Sequence, residues 1–290
     1  MSVNGFLLVD KAGGMTSHDV VAKLRKRFAT KKIGHAGTLD PMATGVLVIG
    51  IGSATRLLQY VTDGAKEYEG TIRLGAATHT DDREGEILYT TDASGVTDDA
   101  IRAGLAKSTG TIMQKPSAVS AIKIDGKRAH ERVRDGEIVD IPAREVTIEL
   151  IDILNIARTG EFVDIDIRVN CSAGTYIRSI ARDLGQELAV GGHLTSLRRT
   201  LVSPFSITEC TDWESGEPIT VAEGISKILP TRTLDFAEMN EISFGRYLAL
   251  NPVTGVVAAI SPAGEFAALL ENKEVAGKSV CAPILVAVKE

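Results

Sequence analysis

The 290-residue chain carries 32 basic and 38 acidic side chains, a formal net charge of −6, and 44% hydrophobic residues. That size holds one large domain plus a small one, and no apolar run approaches the length of a membrane span. Three cysteines lie far apart (Cys171, Cys210, Cys281) without a Cys-x-x-Cys pair, and no basic region precedes the short apolar run Phe6–Val9; a disulfide framework, a structural zinc site, a secretory leader and a membrane anchor are therefore not expected, and the expected compartment is the cytoplasm.

In chain order, Gly5–Lys11 reads as a short buried strand with Phe6, Leu7, Leu8 and Val9 contiguous. Thr16 or Ser17 caps a helix to about Phe28, with Val20, Val21, Leu24 and Phe28 on one face. Residues 34–45 follow as a loop, then Val46–Ile51 as an apolar strand, and Ser53 opens a short helix carrying Leu57, Leu58 and Val61. Tyr68–Leu74 alternates as a half-buried strand. Thr97 is a predicted N-cap, with Asp98 and Asp99 in the first turn, where the helix dipole favours them. Val146, Ile148, Leu150 and Ile153 alternate with polar neighbours, as do Val163, Ile165, Ile167 and Val169; the turn Arg158-Thr159-Gly160-Glu161 between them predicts a long antiparallel hairpin. Thr175–Leu188 predicts a helix with Ile177, Ile180, Ala181 and Leu184 on its inner face. Trp213, Gly216, Pro218 and Pro230 interrupt the pattern over 209–235, and strand-like runs recur at Val256–Ile260, Phe266–Leu270 and Ile284–Val288. Strands and helices do not alternate strictly, so the expected class is α+β: a mixed, mainly antiparallel sheet with flanking helices over 1–234, and a small β-rich domain over 235–290.

Charge is unevenly placed. Residues 209–290 hold 12 acidic and 6 basic side chains, so residues 1–208 hold 26 of each and the whole excess lies in the tail. Lys23, Arg25, Lys26, Arg27, Lys31 and Lys32 form one basic cluster; Lys115, Lys123, Lys127, Arg128, Arg132 and Arg134 form another, against Asp125 and Glu131. Each alone reads as a solvated face; two together make a polyanion partner plausible, since local patches rather than whole-chain charge attract phosphate.

The most informative segment is Gly34-His35-Ala36-Gly37-Thr38-Leu39-Asp40-Pro41-Met42-Ala43-Thr44-Gly45. Its glycines permit positive φ or close backbone approach. Pro41 keeps Asp40 out of the α region, so this carboxylate sits at a turn, presented as a nucleophile or base must be; the plain alternative is a turn whose Asp bonds backbone amides. Tyr68, in Lys66-Glu67-Tyr68, is either a core-edge aromatic or a base-stacking, proton-moving group. His79 and Asp81 form a weak metal-binding pair within Arg73–Gly85, with no second ligand cluster. In Cys171–Ser179 a strand turns into a helix through Gly174, leaving Tyr176 and Arg178 near helix-start amides that favour anions; Arg178 can pair with a buried carboxylate. No phosphate loop and no Gly-x-Ser-x-Gly elbow is present.

Together these segments resemble the TruB family of tRNA pseudouridine synthases. Gly34–Gly45 meets every specified position of G-H-x-G-x-L-D-P-x-A-x-G. Lys66–Tyr68 is similar to K-x-Y, Arg73–Gly85 to R-L-G-x-x-T-x-T-x-D-x-x-G with Asp82 at the acidic position, Cys171–Arg178 to C-S-x-G-T-Y-I-R, and Gly192–Thr200 to the stretch that follows. One departure is Ala12 after Lys11, where the family commonly has proline. The β-rich tail is similar to the family's PUA-like C-terminal domains.

The resemblance implies a bacterial enzyme of pseudouridine synthase fold that isomerises uridine 55 in the T-arm of tRNA without metal or cofactor. Asp40 is the implied nucleophile, on C1′ or C6, with Arg178 as its counter-charge; Tyr68 stacks on the uracil and takes the C5 proton. The base is flipped out of the folded arm, with His35 filling the vacated stack or bracing the nucleotide, and with Tyr176, Leu197 and Lys11 at the substrate. Lys23, Arg27, Lys31, Lys32, Lys123 and Arg128 are the expected phosphate contacts. Expected partners are the tRNA stem-loop alone, with no membrane, no obligate protein partner, and a monomeric state. The rival reading is a non-catalytic RNA-binding or tRNA-folding protein on the same scaffold, against which stands the joint presence of Asp40, Tyr68 and Arg178. A metal-dependent hydrolase is a distant third.

Overall fold

The structure is a computed structural model that describes residues 3–287 except 121, 125, 129–131 and 133–140, with backbone alone for 123, 124, 127 and 128. Strand β1 (Gly5–Lys11) leads into helix α1 (Ser17–Arg27). Thr16 caps α1: its hydroxyl accepts from the Asp19 N–H at 3.0 Å while the Asp19 carboxylate accepts from the Thr16 N–H at 2.8 Å, a reciprocal pair that satisfies two donors at the helix start. Next come β2 (Ile33–Ala36), β3 (Thr44–Ile51), a 3-10 turn over Gly52–Leu57, α2 (Leu58–Thr62) and β4 (Lys66–Leu74). A small hairpin of β5 (Ala76–Thr78) and β6 (Ile87–Thr90) precedes α3 (Asp98–Ala106), β7 (Gly110–Gln114), and the short pair β8 (Lys123–Ile124) and β9 (Lys127–Arg128). Long strands β10 (Arg144–Thr159) and β11 (Phe162–Cys171) form the expected hairpin, turning at Gly160 with φ +61°. Helix α4 (Ile177–Glu187) is followed by β12 (Gly192–Val202), β13 (Phe205–Ser206) and α5 (Val221–Ile228). The remainder is β14 (Thr231–Thr233), α6 (Phe236–Ser243), β15 (Val256–Ile260), β16 (Phe266–Val275) and β17 (Lys278–Val286).

The main sheet runs β1-β3-β12-β4-β11-β10-β7, with β2 added on β3 and β13 on β12; β3 and β12 are its parallel pair and the other pairings are antiparallel. A second sheet, β14-β15-β16-β17, starts at Thr231, ahead of the boundary expected at 235. The α+β class with a mainly antiparallel sheet is thus the architecture observed. No helix among the described residues is long and apolar enough to cross a membrane.

Burial explains the hydrophobic patterns. One core packs α1, α3 and α4 on one sheet face, around Val9, Leu47, Ile49, Ile72 and Ile167. A second core lies on the opposite face of β1 and β3, where Phe6, Leu8, Val46 and Val48 meet α2, α5 and the Ala258 and Leu269 side chains of the second sheet. Strands β1 and β3 are covered on both faces, which is why their sequences run apolar without alternation. Each fully buried Leu or Phe there contributes about 1.5–3 kcal/mol. Helix α5 approaches closely at Gly224, where a Cβ would stand 2.2 Å from the Phe6 ring. By contrast β11 alternates strictly, because its other face is wet and carries cross-strand ion pairs, Arg73–Asp164 and Arg168–Glu69, both at 2.7 Å.

Candidate active site

The turn after β2 is held from both sides. Gly37 adopts φ +84° and Gly45 φ +101°, and a Cβ on Gly45 would stand 2.1 Å from the Arg199 carbonyl oxygen, so β3 and β12 come together only with glycine there. Ser17, at the start of α1, exchanges two hydrogen bonds with the Leu39 backbone: its hydroxyl accepts from the N–H at 2.9 Å and donates to the carbonyl at 3.2 Å. The buried Lys11 ammonium donates to the carbonyls of Met15 at 2.7 Å, Ala12 at 3.0 Å and Pro41 at 3.4 Å. Asp40 therefore sits between two anchored neighbours, Leu39 and Pro41. Burial pushes the Lys11 ammonium down to about 8, an effect that Asp40 and Glu84 oppose.

Arg178 enters from the first turn of α4. Its side chain is 5% exposed, whereas that of Asp40 is 33% exposed. Nη2 donates to Asp40 Oδ1 at 3.2 Å; Nε lies 2.9 Å from Oδ2, but its N–H does not point at that oxygen, so this second approach is an ion contact. The guanidinium is fixed on its remaining sides by the Thr80 carbonyl at 2.7 Å, the Val119 carbonyl at 2.9 Å, the Ser117 hydroxyl at 3.2 Å and the Asp82 carboxylate at 3.7 Å. Asp82 is itself held by the Thr80 hydroxyl at 2.5 Å and the Glu84 N–H at 3.0 Å. A carboxylate at a cleft, backed by a guanidinium that four other groups immobilise, suits a nucleophile whose direction of attack matters.

The cleft measures about 270 Å³, below the usual range for drug-sized ligands and suited to one small ring system. Its wall includes Thr38, Asp40, Arg178, Tyr68, Leu197 and Tyr176, so the predicted nucleophile, counter-charge, stacking phenol and lining residues converge. Lys66, Arg144 and Arg199 line it as well. Tyr176 is fixed through its backbone, whose N–H and carbonyl bond the Gln114 amide at 2.8 and 3.0 Å, and the Arg144 guanidinium stands 5.0 Å from its ring centre. Burial pushes the Tyr68 phenol up and the Lys66 ammonium down.

Several expected contacts stand elsewhere. Lys11 does not line the cleft: its ammonium donates to three backbone carbonyls and so braces the Asp40 turn. His35 is also outside the cleft wall. It belongs to β2, not to a loop, because residues 33–36 pair with β3, and its ring packs edge-on against His18 at 5.5 Å. Arg27 is drawn away from solvent phosphates by the Trp213 and Gly216 carbonyls and by Glu217 at 2.8 Å, and Lys23 covers the Trp213 ring at 4.5 Å. Lys31 and Lys32 are exposed. The side chains of Lys123, Lys127 and Arg128, and the whole of Asp125, Glu131 and Arg134, lie outside the described residues. Among the described residues no three His, Cys, Asp or Glu side chains are grouped as a metal would need, and Asp81 faces Arg182 at 3.5 Å. Arg199 and Arg144 are not among the residues that the sequence picks out, and neither Lys66 nor Ser17 is given a site role there; β12 is rich in polar residues, so nothing in its pattern marks Arg199 as buried.

Burial, with the neighbouring His18, pushes the His35 imidazole down to about 4 from 6.5. The folded state then binds fewer protons than the unfolded chain between those values, so His35 makes stability fall as pH drops from 6.5 toward 4. Denaturant melts across that window are expected to show a shallower pH dependence for His35→Asn than for the unaltered protein; identical slopes would contradict the assignment.

Residues 25–177 match the family described as TruB family pseudouridylate synthase (N terminal domain), residues 178–217 the tRNA pseudouridylate synthase B C-terminal domain, and residues 229–282 the description tRNA Pseudouridine synthase II, C terminal. A protein of Corynebacterium efficiens named tRNA pseudouridine synthase B is 54% identical over 275 residues, covering 93% of either chain. Its counterpart in Paenarthrobacter aurescens is 49% identical over 285 residues, covering 93% of this chain and 92% of that one. In three dimensions the chain resembles one from the structure of an H/ACA RNP bound to a substrate RNA containing 2′-deoxyuridine, with a TM-score of 0.70 at 24% identity, covering 98% of this chain and 85% of that one; this likeness concerns the fold.

Proposed function

The chain belongs to the TruB family of pseudouridylate synthases, and we propose that it isomerises the uridine at position 55 in the T-arm of tRNA, with Asp40 as the nucleophile. The reaction breaks the N1–C1′ bond, turns the uracil and joins C5 to C1′. It is redox-neutral and moves one proton overall, from C5 to N1. The observation that carries the reading is the Asp40–Arg178 pair, open to a cleft that Tyr68, Tyr176 and Leu197 also line. Asp40 bonds the sugar–uracil system, Arg178 fixes the direction of its carboxylate, and Tyr68 covers the ring and accepts the C5 proton. Leu197, buried on β12, bounds the cleft with an apolar surface that favours the base over water. The target lies within a folded arm, so it reaches the cleft flipped out of its stack. Such a substrate places the working protein in the cytoplasm.

The test is incubation of purified protein with an unmodified T-arm stem-loop carrying C5-tritiated uridine. Release of tritium to water is expected; its absence would remove the proposal and favour a non-catalytic RNA-binding role.

Phosphate contacts divide along the exposure seen above. Replacing both Lys31 and Lys32 by alanine is expected to flatten the slope of log affinity against log salt by roughly two for the stem-loop, with kcat unchanged. Filter binding between about 50 and 200 mM salt reads this. An unchanged slope would place the RNA backbone elsewhere.

A further inference from the structure

Arg199 has no role in that scheme, yet it heads the fully buried side chains by volume and is 1% exposed. Burying a guanidinium is costly unless it is paired, and methionine would fill similar space without that cost. Among the described residues no carboxylate forms an ion pair with it. Its Nε donates to the Val46 carbonyl at 2.8 Å and its Nη2 to the Gly37 carbonyl at 3.1 Å, which fixes the plane of the group between β3 and the Asp40 turn. Across the sheet its register partner is Tyr68, and both residues line the cleft. Burial pushes the Tyr68 phenol up, and the Arg199 guanidinium beside it opposes that rise; the same charge works with burial to push Lys11, His35 and Lys66 down. Lys66 cannot take this part, because its ammonium is committed to the carbonyls of Thr62 and Gly64, each at 2.7 Å.

We propose that Arg199 is a positioning residue for the proton step, holding the Tyr68 phenol oxygen toward the cleft and stabilising its phenolate so that this oxygen removes the proton from C5 of the uracil. The inference rests on the isomerase reading above. After C5 has bonded C1′, C5 carries both its hydrogen and the sugar. The phenolate oxygen takes that hydrogen as a proton, and the C5–H electron pair becomes the C5=C6 double bond. The former N1=C6 pair moves onto N1, which receives a proton. One proton leaves C5 and one arrives at N1, so nothing is oxidised or reduced. Arg199 touches no atom of the substrate; it acts through Tyr68, setting how readily the phenol gives up and regains its proton.

The experiment compares Arg199→Met and Arg199→Lys with the unaltered protein on stem-loops carrying uridine or C5-deuterated uridine. Arg199→Met is expected to slow turnover by about a hundredfold, the lower end for loss of a positioned base. It should also raise the deuterium isotope effect above that of the unaltered protein and move the rising limb of the pH–rate profile to higher pH. Arg199→Lys, which keeps the charge without the planar fork, should fall between the two. If Arg199→Met does not fold, Arg199→Lys decides by the same readings. A folded variant that is slower with unchanged isotope effect and pH profile, or one that is fully active, overturns the inference, since bracing of Gly37 alone would slow an earlier step and mask the C5 proton. No tritium release by the unaltered protein overturns the isomerase reading and this inference with it, whereas release with unaltered isotope effects in both variants overturns this inference alone.

Discussion

Asp40→Asn is expected to abolish tritium release while leaving stem-loop affinity within a factor of about ten, roughly 1.4 kcal/mol. The substitution keeps shape and removes charge. The turn does not depend on the carboxylate for its conformation: Ser17 holds the Leu39 backbone and Lys11 holds the Pro41 carbonyl. Arg178 keeps the Thr80 and Val119 carbonyls, the Ser117 hydroxyl and the Asp82 carboxylate when Asp40 is neutral, so it does not become an isolated buried charge. The expected loss is therefore chemical rather than structural. Tritium release and filter binding on the same preparation separate the two. Full activity in purified Asp40→Asn would end the nucleophile assignment, and a parallel collapse of binding and turnover would mean that the turn itself had been lost.

The parts of this molecule that were legible in sequence are those governed by local rules. The α1 cap, the α3 cap at Thr97, the β10–β11 hairpin and the inner face of α4 follow from capping residues, turn chemistry and period, and each is where those rules put it. Strand β12 does not show in the sequence pattern, although it is central to the main sheet, because register shifts between Leu194 and Ser196 and between Arg199 and Leu201 break its alternation. Helices α5 and α6 are hidden in a stretch punctuated by glycine and proline; each is a short helix with a capping box, stabilised more by packing than by propensity. Of the candidate site, the motif residues Asp40, Tyr68, Tyr176, Arg178 and Leu197 converge on one cleft. The supports do not show in sequence, since what Lys11, Ser17 and Arg199 do depends on backbone carbonyls and amides brought from distant segments. Lys11 illustrates the limit. A lysine beside the Asp40 turn reads as a substrate contact from sequence alone; that its ammonium is bonded to three carbonyls depends on the fold.

Arg178→Lys is the second large effect, expected to slow turnover by about a hundredfold or more while changing stem-loop affinity far less. The guanidinium reaches five groups at once: Asp40, Asp82, Ser117 and the carbonyls of Thr80 and Val119. An ammonium has three donors on one atom and cannot span two carboxylates and two carbonyls facing different directions. If it stays with Asp40, the half-buried Thr80 and Val119 carbonyls lose their donor, each at a cost below the about 1–3 kcal/mol of a fully buried group. If it stays with the carbonyls, Asp40 loses the partner that aims it. Either arrangement lets the carboxylate swing, and misplacement by an ångström costs a rate far more than it costs binding. The charge that RNA feels at a distance is unchanged, so affinity should hold. Single-turnover rates and Kd measured on one preparation decide the matter. Equal losses in both would identify Arg178 as an RNA-gripping residue and leave Asp40 without its proposed guide.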